Sequence, residues 1–185
     1  VRDLGSLNMN AMPKTTRPAL SVVAPCYNEE EGLHELHRRL TAVCKSVVSM
    51  DFEIILVDDG SKDRTRAIIA ELCDADPRVT GVFLSRNHGH QLALTAGLNV
   101  CNGERILVID ADLQDPPELL GDMMKMMDEG ADVVYGQRIA RDLVTKLEED
   151  RFHSVWHRGW GARLRPEMLA ATARLSESLQ GERGV

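Results

Sequence analysis

Acidic side chains gather after two apolar stretches of the chain, and their spacing suits them to hold a metal ion. Asp58 and Asp59 follow the first stretch in LVDDGS, and Asp110, Asp112 and Gln114 follow the second in VIDADLQD. In an extended segment alternate residues point the same way, so the last three would present oxygen atoms on one side. Mg²⁺ and Mn²⁺ prefer oxygen ligands and share them with substrate phosphates. The pattern therefore predicts a site for a divalent cation and a diphosphate.

Simpler roles exist for single members of this acidic group. An aspartate after a strand commonly caps a helix or forms a turn, and Asp115 and Asp63 occupy such positions, before two prolines and in GSKDRT. The glycine-rich phosphate loops of the common nucleotide folds are missing, because neither GxGxxG nor GxxxxGK[ST] occurs in the sequence. A dinucleotide-binding fold and a P-loop enzyme are therefore disfavoured.

The elements that must position these residues alternate along the chain. Five short apolar runs predict strands, and the stretches between them show helical spacing, as in Leu33, Leu36 and Leu40. Apolar strands that alternate with helices indicate an α/β fold, with a mostly parallel sheet covered by helices on both faces. The predicted strands span residues 20–25, 52–57, 79–85, 105–110 and 131–136.

Polar residues collect where four of these predicted strands end. Ligands of an open parallel sheet bind outside the carboxyl ends of its strands, so the four ends should meet at one rim. We expect this rim to be the active site. It comprises residues 25–29, 58–59, 85–90 and 110–115.

Composition limits the classes of partner. The chain of 185 residues carries 22 Lys and Arg against 29 Asp and Glu, a net charge of −7, and 4% aromatic residues. Nucleic acid is therefore not an expected partner, because its phosphates need basic surfaces and its bases need aromatic platforms. The sequence shows no apolar run of about 18 residues and no signal peptide, so we expect a cytosolic location. The four cysteines lack metal-ligand spacing and are expected to be reduced core residues.

Five motifs in a fixed order resemble the family 2 glycosyltransferases with the GT-A fold. Within that family the chain is most similar to the polyprenyl-phosphate branch, the dolichol-phosphate mannose synthases and undecaprenyl-phosphate glucosyltransferases. The motifs are APCYNEEEGL, EIILVDDGSKDRT, LSRNHGHQLALTAGL, VIDADLQDPPE and VVYGQR, and they cover residues 20–142. The resemblance implies a Rossmann-like sheet and inverting transfer of a sugar from a UDP-glucose or GDP-mannose type of donor to a polyprenyl phosphate. Mg²⁺ or Mn²⁺ is the implied cofactor.

The resemblance also implies a role for individual residues. Asp112 and Gln114 would hold the metal, and Arg138 in YGQR would neutralise charge on the diphosphate leaving group. Asp112 and Arg138 are the expected catalytic residues. The nucleotide sugar would lie against a larger set: Pro25, Tyr27, Glu29, Val57, Asp59, Asp110, Ala111, Asp112, Gln114 and Arg138.

The acceptor side is less strongly marked in the sequence. Arg86 and His90 in SRNHGHQ are the candidate contacts to the acceptor phosphate or to the sugar. A phosphate monoester has a second pKa of about 6 and arrives largely ionised, so we expect no essential general base. The resemblance implies that the protein acts at the cytoplasmic face of the membrane, where a membrane-anchored partner could bind the domain.

The predicted organisation is an N-terminal arm (1–19), a glycosyltransferase domain (20–142) and a tail (143–185). Apolar periodicity in the tail is weak, so we expect it to be loosely packed. The basic, aromatic-containing helix of the family is not recognisable in it. Our hypothesis is that it derives from a frameshift, a truncation or an unusual gene model.

Two alternatives to an active glycosyltransferase stay open at this point. The first is a catalytically inactive nucleotide-sugar-binding fragment or partner subunit. The second is another α/β enzyme with an acidic rim, such as a nucleotidyltransferase or a phosphatase of the haloacid dehalogenase type. That phosphatase needs DxDxT after its first strand, whereas DxD follows the fourth predicted strand here and lacks the threonine.

Overall fold

A computed structural model describes residues 17–134, 136–140, 143–147 and 155–157, with side chains for 17–134 and 136. Most of the expected arm and tail lies outside these residues. The secondary structure alternates as the sequence predicts. In chain order the strands and helices are β1 (Leu20–Cys26), α1 (Leu33–Val48), β2 (Phe52–Asp58), α2 (Thr65–Ala75), β3 (Val79–Phe83), α3 (His90–Val100), β4 (Arg105–Val108), a 3₁₀ turn (Pro117–Leu119), α4 (Leu120–Asp128), β5 (Val133–Val134), β6 (Gly136–Ala140), β7 (Leu143–Leu147) and β8 (Val155–His157).

One sheet of six strands organises the fold. Its strand order is β3-β2-β1-β4-β8-β5, and the pairs formed among β3, β2, β1 and β4 are all parallel. This arrangement, with helices packed on it, confirms the predicted α/β class. Because the four parallel strands run the same way, their carboxyl ends share one edge of the sheet, where ligands of such sheets bind.

The far side of the sheet differs from the expectation. The fifth predicted strand is reduced to β5, which pairs with β8 and is antiparallel to it. Strand β8 comes from the segment expected to be a loose tail, and it is antiparallel to both of its neighbours. It has only three residues, so it is too short to show the alternation by which strands are recognised in a sequence.

The core fills both faces of the sheet. On one face the apolar side of α1, including Leu33, Leu36 and Leu40, packs in one cluster with Val22 of β1. On the other face α3 packs in a second cluster with side chains of β1 and β2, among them Val23. Cys26, Cys44 and Cys101 are buried, Cys73 is partly buried, and all four are free thiols. None of the described helices has the length and apolarity to cross a bilayer.

Helix α3 lies unusually close to the sheet. A Cβ atom added at Gly97 would lie 2.4 Å from Cγ1 of Val23 and 2.9 Å from Cγ2 of Val57. The absence of a side chain at this position therefore lets the helix backbone approach β1 and β2. The approach matters for the site, because α3 begins at the same edge as the carboxyl ends of the parallel strands.

Candidate active site

A cavity of about 300 Å³ lies between the carboxyl ends of β1 and β2, the segment after β4 and the start of α3. Eight residues predicted from the sequence line it, and they come from four separate segments. Cys26, Asn87 and Ala93 also line it and were not singled out, because a cysteine, an asparagine and an alanine in these segments carry no chemical signal of their own. The eight predicted residues are Pro25, Tyr27, Glu29, Asp59, His90, Asp110, Ala111 and Asp112.

Three of the other predicted residues have described side chains and do not line the cavity. The side chain of Val57 is fully buried in the cluster beneath α3, because alternate residues of β2 face opposite sides of the sheet. Gln114 and Arg86 are exposed outside the cavity. Arg138 lies on β6 in register with Val144 of β7, and only its backbone is described.

The acidic segment after β4 forms a turn and not the extended strand predicted from the sequence. Leu113 has a φ of 60°, in the left-handed region, and its side chain packs against the core. The backbone N–H of Gln114 donates a hydrogen bond of 3.0 Å to Oδ1 of Asp112. The chain therefore turns between these two residues and is not extended. Asp110 and Asp112 face the cavity, but Gln114 does not, so the predicted row of three oxygen donors is corrected to two.

The loop after β1 is fastened to the loop after β2 by reciprocal hydrogen bonds. The N–H of Asn28 donates to Oγ of Ser61 at 3.0 Å, and the N–H of Lys62 donates to Oδ1 of Asn28 at 2.9 Å. The N–H of Glu29 donates to Oγ1 of buried Thr65 at 2.7 Å. The residues of the DGSKDRT motif thus hold in place the loop that carries Tyr27 and Glu29 into the cavity.

Asp63 has the turn-forming role expected from the sequence. Its Oδ1 accepts a hydrogen bond of 3.0 Å from the N–H of Thr65, and its Oδ2 accepts one of 3.2 Å from the N–H of Glu30. Glu30 returns the contact, because its Oε2 accepts the N–H of Arg64 at 2.8 Å. This carboxylate therefore fixes the two loops to each other and does not enter the cavity.

The two adjacent aspartates at the end of β2 have different roles. Asp58 is fully buried, and its Oδ1 accepts the N–H of Ser61 at 3.0 Å, which closes the turn. Its Oδ2 makes no hydrogen bond within the described residues and lies 4.0 Å from Nε of Arg66. Asp59 is the member that faces the cavity, and its carboxylate accepts hydrogen bonds from the backbone N–H groups of His88 and Gly89.

His90 and Asp110 form a pair across the cavity. Nε2 of His90, at the first turn of α3, lies 3.0 Å from Oδ1 of Asp110. The hydrogen bond to Asp110 raises the pKa of His90, against the opposite effect of burial. The pair therefore brings together His90, which was predicted for the acceptor, and Asp110, which was predicted for the donor. Because its pKa is raised, His90 is the group that can carry a positive charge at this point of the cavity.

The cavity has an excess of negative charge. Glu29, Asp110 and Asp112 all line it, and the pKa of Glu29 is raised by burial and then by the charges of Asp112 and Asp110. In the part of the chain that the structure describes, no three His, Cys, Asp or Glu side chains converge closely enough to enclose a metal ion. A cation here would therefore complete its coordination with oxygens from a bound ligand or from water.

Comparison with known proteins identifies the family. The model for "Glycosyl transferase family 2" matches residues 21–175. The chain belongs to glycosyltransferase family 2. This membership confirms the resemblance seen in the sequence motifs, and the matched range continues past residue 142 into the expected tail.

Relatives of this family 2 chain include bacterial glycosyltransferases. The uncharacterized glycosyltransferase YkcC of Bacillus subtilis is 48% identical over 121 residues, which are 65% of this chain and 37% of YkcC. The undecaprenyl-phosphate 4-deoxy-4-formamido-L-arabinose transferase of Pseudomonas fluorescens is 38% identical over 146 residues, which are 78% of this chain and 39% of that enzyme. The chain thus spans about two fifths of the length of these relatives.

Solved glycosyltransferase structures share the fold. Staphylococcus aureus TarS (1–349) in complex with UDP-GlcNAc superposes with a TM-score of 0.52 and 29% identity, over 62% of this chain and 32% of TarS. The mannosyltransferase PcManGT of Pyrobaculum calidifontis, solved with GDP-Man and Mn²⁺, gives a TM-score of 0.56 at 24% identity, over 69% and 38% of the two chains. These likenesses confirm the predicted GT-A type of α/β fold.

Proposed function

We propose that this chain binds a nucleotide diphosphate sugar in the cavity and transfers the sugar, with inversion, to a polyprenyl phosphate. The observation that carries the proposal is the acidic cavity itself, in which eight predicted residues from four segments meet at the carboxyl edge of a GT-A type sheet. The acceptor class is supported by the relative from Pseudomonas fluorescens, which is named as an undecaprenyl-phosphate sugar transferase. The donor class is supported by TarS, which was solved with UDP-GlcNAc.

The donor's nucleoside would lie against the segment after β1. Pro25 and Ala111 are apolar parts of the cavity wall, and Tyr27 is 39% exposed, so its ring is accessible to a flat base. Ligand pockets commonly combine such apolar surface with a few polar groups that fix orientation. Glu29 and Asp110 would supply polar contacts to the ribose or the sugar. The identity of the base, uracil or guanine, is decided by the experiment below.

Mg²⁺ or Mn²⁺ fits this donor set. Burial raises the pKa of Glu29, and the charges of Asp112 and Asp110 raise it further. The same carboxylates would repel a diphosphate. A divalent cation, when bound, supplies the positive charge that both groups of oxygens can share. Asp112, which lines the cavity, is the residue of this chain that we expect to hold it. Gln114, the second predicted ligand, would have to reach the ion from outside the cavity.

Positive charge in the cavity would stabilise the leaving diphosphate and would favour binding of the acceptor phosphate. His90 is held by Asp110 and has a raised pKa, so it can carry a proton close to a phosphate oxygen. Arg138 and Arg86 are the further cationic residues that we propose for the leaving diphosphate and the acceptor phosphate. An ionised phosphate acceptor needs no proton removed before attack, so these residues act by position and charge.

Donor binding without transfer is the second candidate function. It is favoured by the composition of the cavity, because most of the residues that meet there were predicted for the donor. Of the two residues predicted for the acceptor, His90 lines the cavity and Arg86 does not. A binding fragment or partner subunit would therefore keep the observed geometry and lack the reaction.

A transfer assay separates these two functions. The chain is incubated with labelled UDP-glucose or GDP-mannose, undecaprenyl phosphate in detergent and Mn²⁺, and labelled lipid is measured. We expect product from the unchanged chain and none from Asp112→Ala. The matched control is Asp122→Ala on α4, which should keep activity. It removes an exposed carboxylate whose Oδ1 accepts a hydrogen bond of 2.9 Å from Nζ of Lys125. Donor binding without product favours the second candidate, and a chain that binds no donor contradicts both.

A further inference from the structure

We propose that Asp59 is a positioning residue, which holds the β3–α3 loop (residues 84–89) against the sheet and thereby places His90. The resemblance implied a different role for Asp59, a direct contact to the nucleotide sugar. The consequence for catalysis rests on the proposed function, whereas the consequence for the loop does not.

The carboxylate of Asp59 already has partners on the chain. Its Oδ1 accepts the N–H of His88 at 2.7 Å, and its Oδ2 accepts the N–H of Gly89 at 2.9 Å, a group that also lies 3.1 Å from Oδ1 of Asn87. Asp59 is 3% exposed, so these charge-assisted bonds are formed away from bulk water, where they are strong. The backbone of Asp59 is fixed as well, since its N–H donates to the carbonyl of Cys26 at 2.9 Å.

The next residue packs against the same loop. Gly60 has a φ of +70°, and a Cβ atom added there would lie 2.3 Å from the carbonyl carbon of Arg86 and 2.6 Å from the nitrogen of Asn87. The backbones of the DDG turn and of the loop are therefore in direct contact. At the start of the loop, the N–H of Leu84 donates to the carbonyl of Asp58 at 2.9 Å. The loop is thus attached to the end of β2 at both of its ends.

The attachment is transmitted to the candidate active site through α3. Gly89 immediately precedes the helix, and His90 is its first residue, with Nε2 3.0 Å from Oδ1 of Asp110. If the Asp59 carboxylate is lost, the N–H of Gly89 keeps only Oδ1 of Asn87 as an acceptor. The body of α3 stays packed on the sheet, but its start loses this attachment, and the distance from His90 to Asp110 is free to change. Asp59 therefore acts on the cavity through His90.

Amide hydrogen exchange of the full chain tests this inference. In Asp59→Asn the side chain keeps its size but loses its charge and one of its two acceptor oxygens. We expect the amide of His88 to exchange roughly tenfold faster or more, as the loss of a charge-assisted bond implies. The control is Asp76→Asn, which removes another buried aspartate at the opposite end of the strands and should leave His88 unaffected relative to the core amides. Unchanged exchange at His88 in Asp59→Asn overturns the inference.

Nucleotide titrations distinguish the positioning role from direct contact with ribose. A pure ribose contact predicts weaker binding of UDP or GDP to Asp59→Asn with His88 still protected, and that result overturns the inference. If the unchanged chain binds no nucleotide, the proposed function fails, yet the exchange result still decides the role of Asp59 in the loop.

The unchanged protein provides a second measurement should Asp59→Asn not fold. We expect its His88 amide to exchange at least roughly tenfold more slowly than the same residue in an unstructured peptide of the loop sequence. Equal rates in the folded chain and the peptide overturn the inference.

Discussion

Replacing Gly97 by alanine tests the close approach of α3 to the sheet. In an ordinary helix this change is favourable by about 1 kcal/mol, because alanine restricts the unfolded chain and glycine does not. Here the new Cβ would lie 2.4 Å from Cγ1 of Val23 and 2.9 Å from Cγ2 of Val57, whereas ordinary contacts are 3.4–4 Å. The helix must therefore move away from the sheet by about 1 Å, or the two valines must yield.

The valines have little room to yield. Val23 and Val57 are fully buried, their β-branched side chains are stiff, and they lie on β1 and β2, which are paired with neighbours. Overpacking of this kind costs about 1–3 kcal/mol, and the upper part of that range applies because two stiff, buried side chains crowd one site. After the gain in helix propensity, we expect Gly97→Ala to lower the free energy of unfolding by about 1–2 kcal/mol.

Urea unfolding of Gly97→Ala and of Gly121→Ala measures the effect. Gly121 is also helical, on α4, but a Cβ added there would lie 3.7 Å from its nearest neighbour, Cγ2 of Val47. The control variant should therefore be as stable as the unchanged chain or more stable by up to about 1 kcal/mol. Equal shifts of the two variants, or a Gly97→Ala variant with undiminished stability, would refute the packing of α3 described here.

Three further substitutions test the electrostatics and the loops. Asp76→Asn removes a carboxylate whose pKa is strongly lowered by its hydrogen bonds from Arg78. We expect the free energy of unfolding in urea to fall by about 1–3 kcal/mol at pH 7. The loss should be smaller below about pH 4, because the carboxylate of the unfolded chain is then protonated and the native ion pair stabilises the fold less. Asp110→Asn should lower the pKa of His90 in an NMR titration of its ring, because the hydrogen bond to Asp110 is the main cause of the raised value. In the unchanged chain the protonated pair stabilises the fold below about pH 6.5, and this contribution is lost as the pH rises through the native pKa of His90. Asn28→Ala should destabilise the fold by about 1–2 kcal/mol, because it loses the hydrogen bond from Lys62 and places alanine at a φ of 56°, which is unfavourable for it. Asn28→Gly loses the hydrogen bond alone. Equal thermal stabilities of these two variants would contradict the left-handed backbone at residue 28.

The layers of the fold follow from periodicity. Leu33, Leu36 and Leu40 repeat at helical spacing, and each is fully buried on α1. The apolar runs that begin at Leu20 and Phe52 are parallel neighbours in register from their first residues. Burial of such residues removes apolar surface from water, so a pattern of apolar residues alone predicts which elements form and which sides they bury.

The location of the site was also accessible from the sequence, but its internal geometry was not. Polar residues at strand ends predicted the rim, because parallel strands end at one edge. The side-chain directions depend on turns that a pattern does not show. Leu113 adopts a positive φ, and Asp112 accepts the N–H of Gln114, so the DADLQ segment turns where an extended chain was assumed. Val57 was assigned to the cavity by resemblance, and it is buried beneath α3 instead.

The features that the sequence did not predict are contacts between segments that are distant along the chain. The bond from His88 to Asp59 joins residues 29 positions apart, and the bond from Lys62 to Asn28 joins residues 34 apart. Strand β8 inserts between β4 and β5 from beyond residue 150. None of these pairings has a local signature, since each depends on where the whole chain brings two loops or two strands together.

Binding of a nucleotide together with a metal ion is the most direct test of the account. The melting temperature of the chain is measured with UDP and with GDP, each with and without Mn²⁺, and a ligand at 100 times its Kd should stabilise the fold by about 2.7 kcal/mol. We predict a rise with one of the two nucleotides that requires Mn²⁺, disappears in Asp112→Ala and persists in Asp122→Ala. A sample that melts cooperatively at the same temperature with every nucleotide and metal would contradict the assignment of this cavity as a donor site.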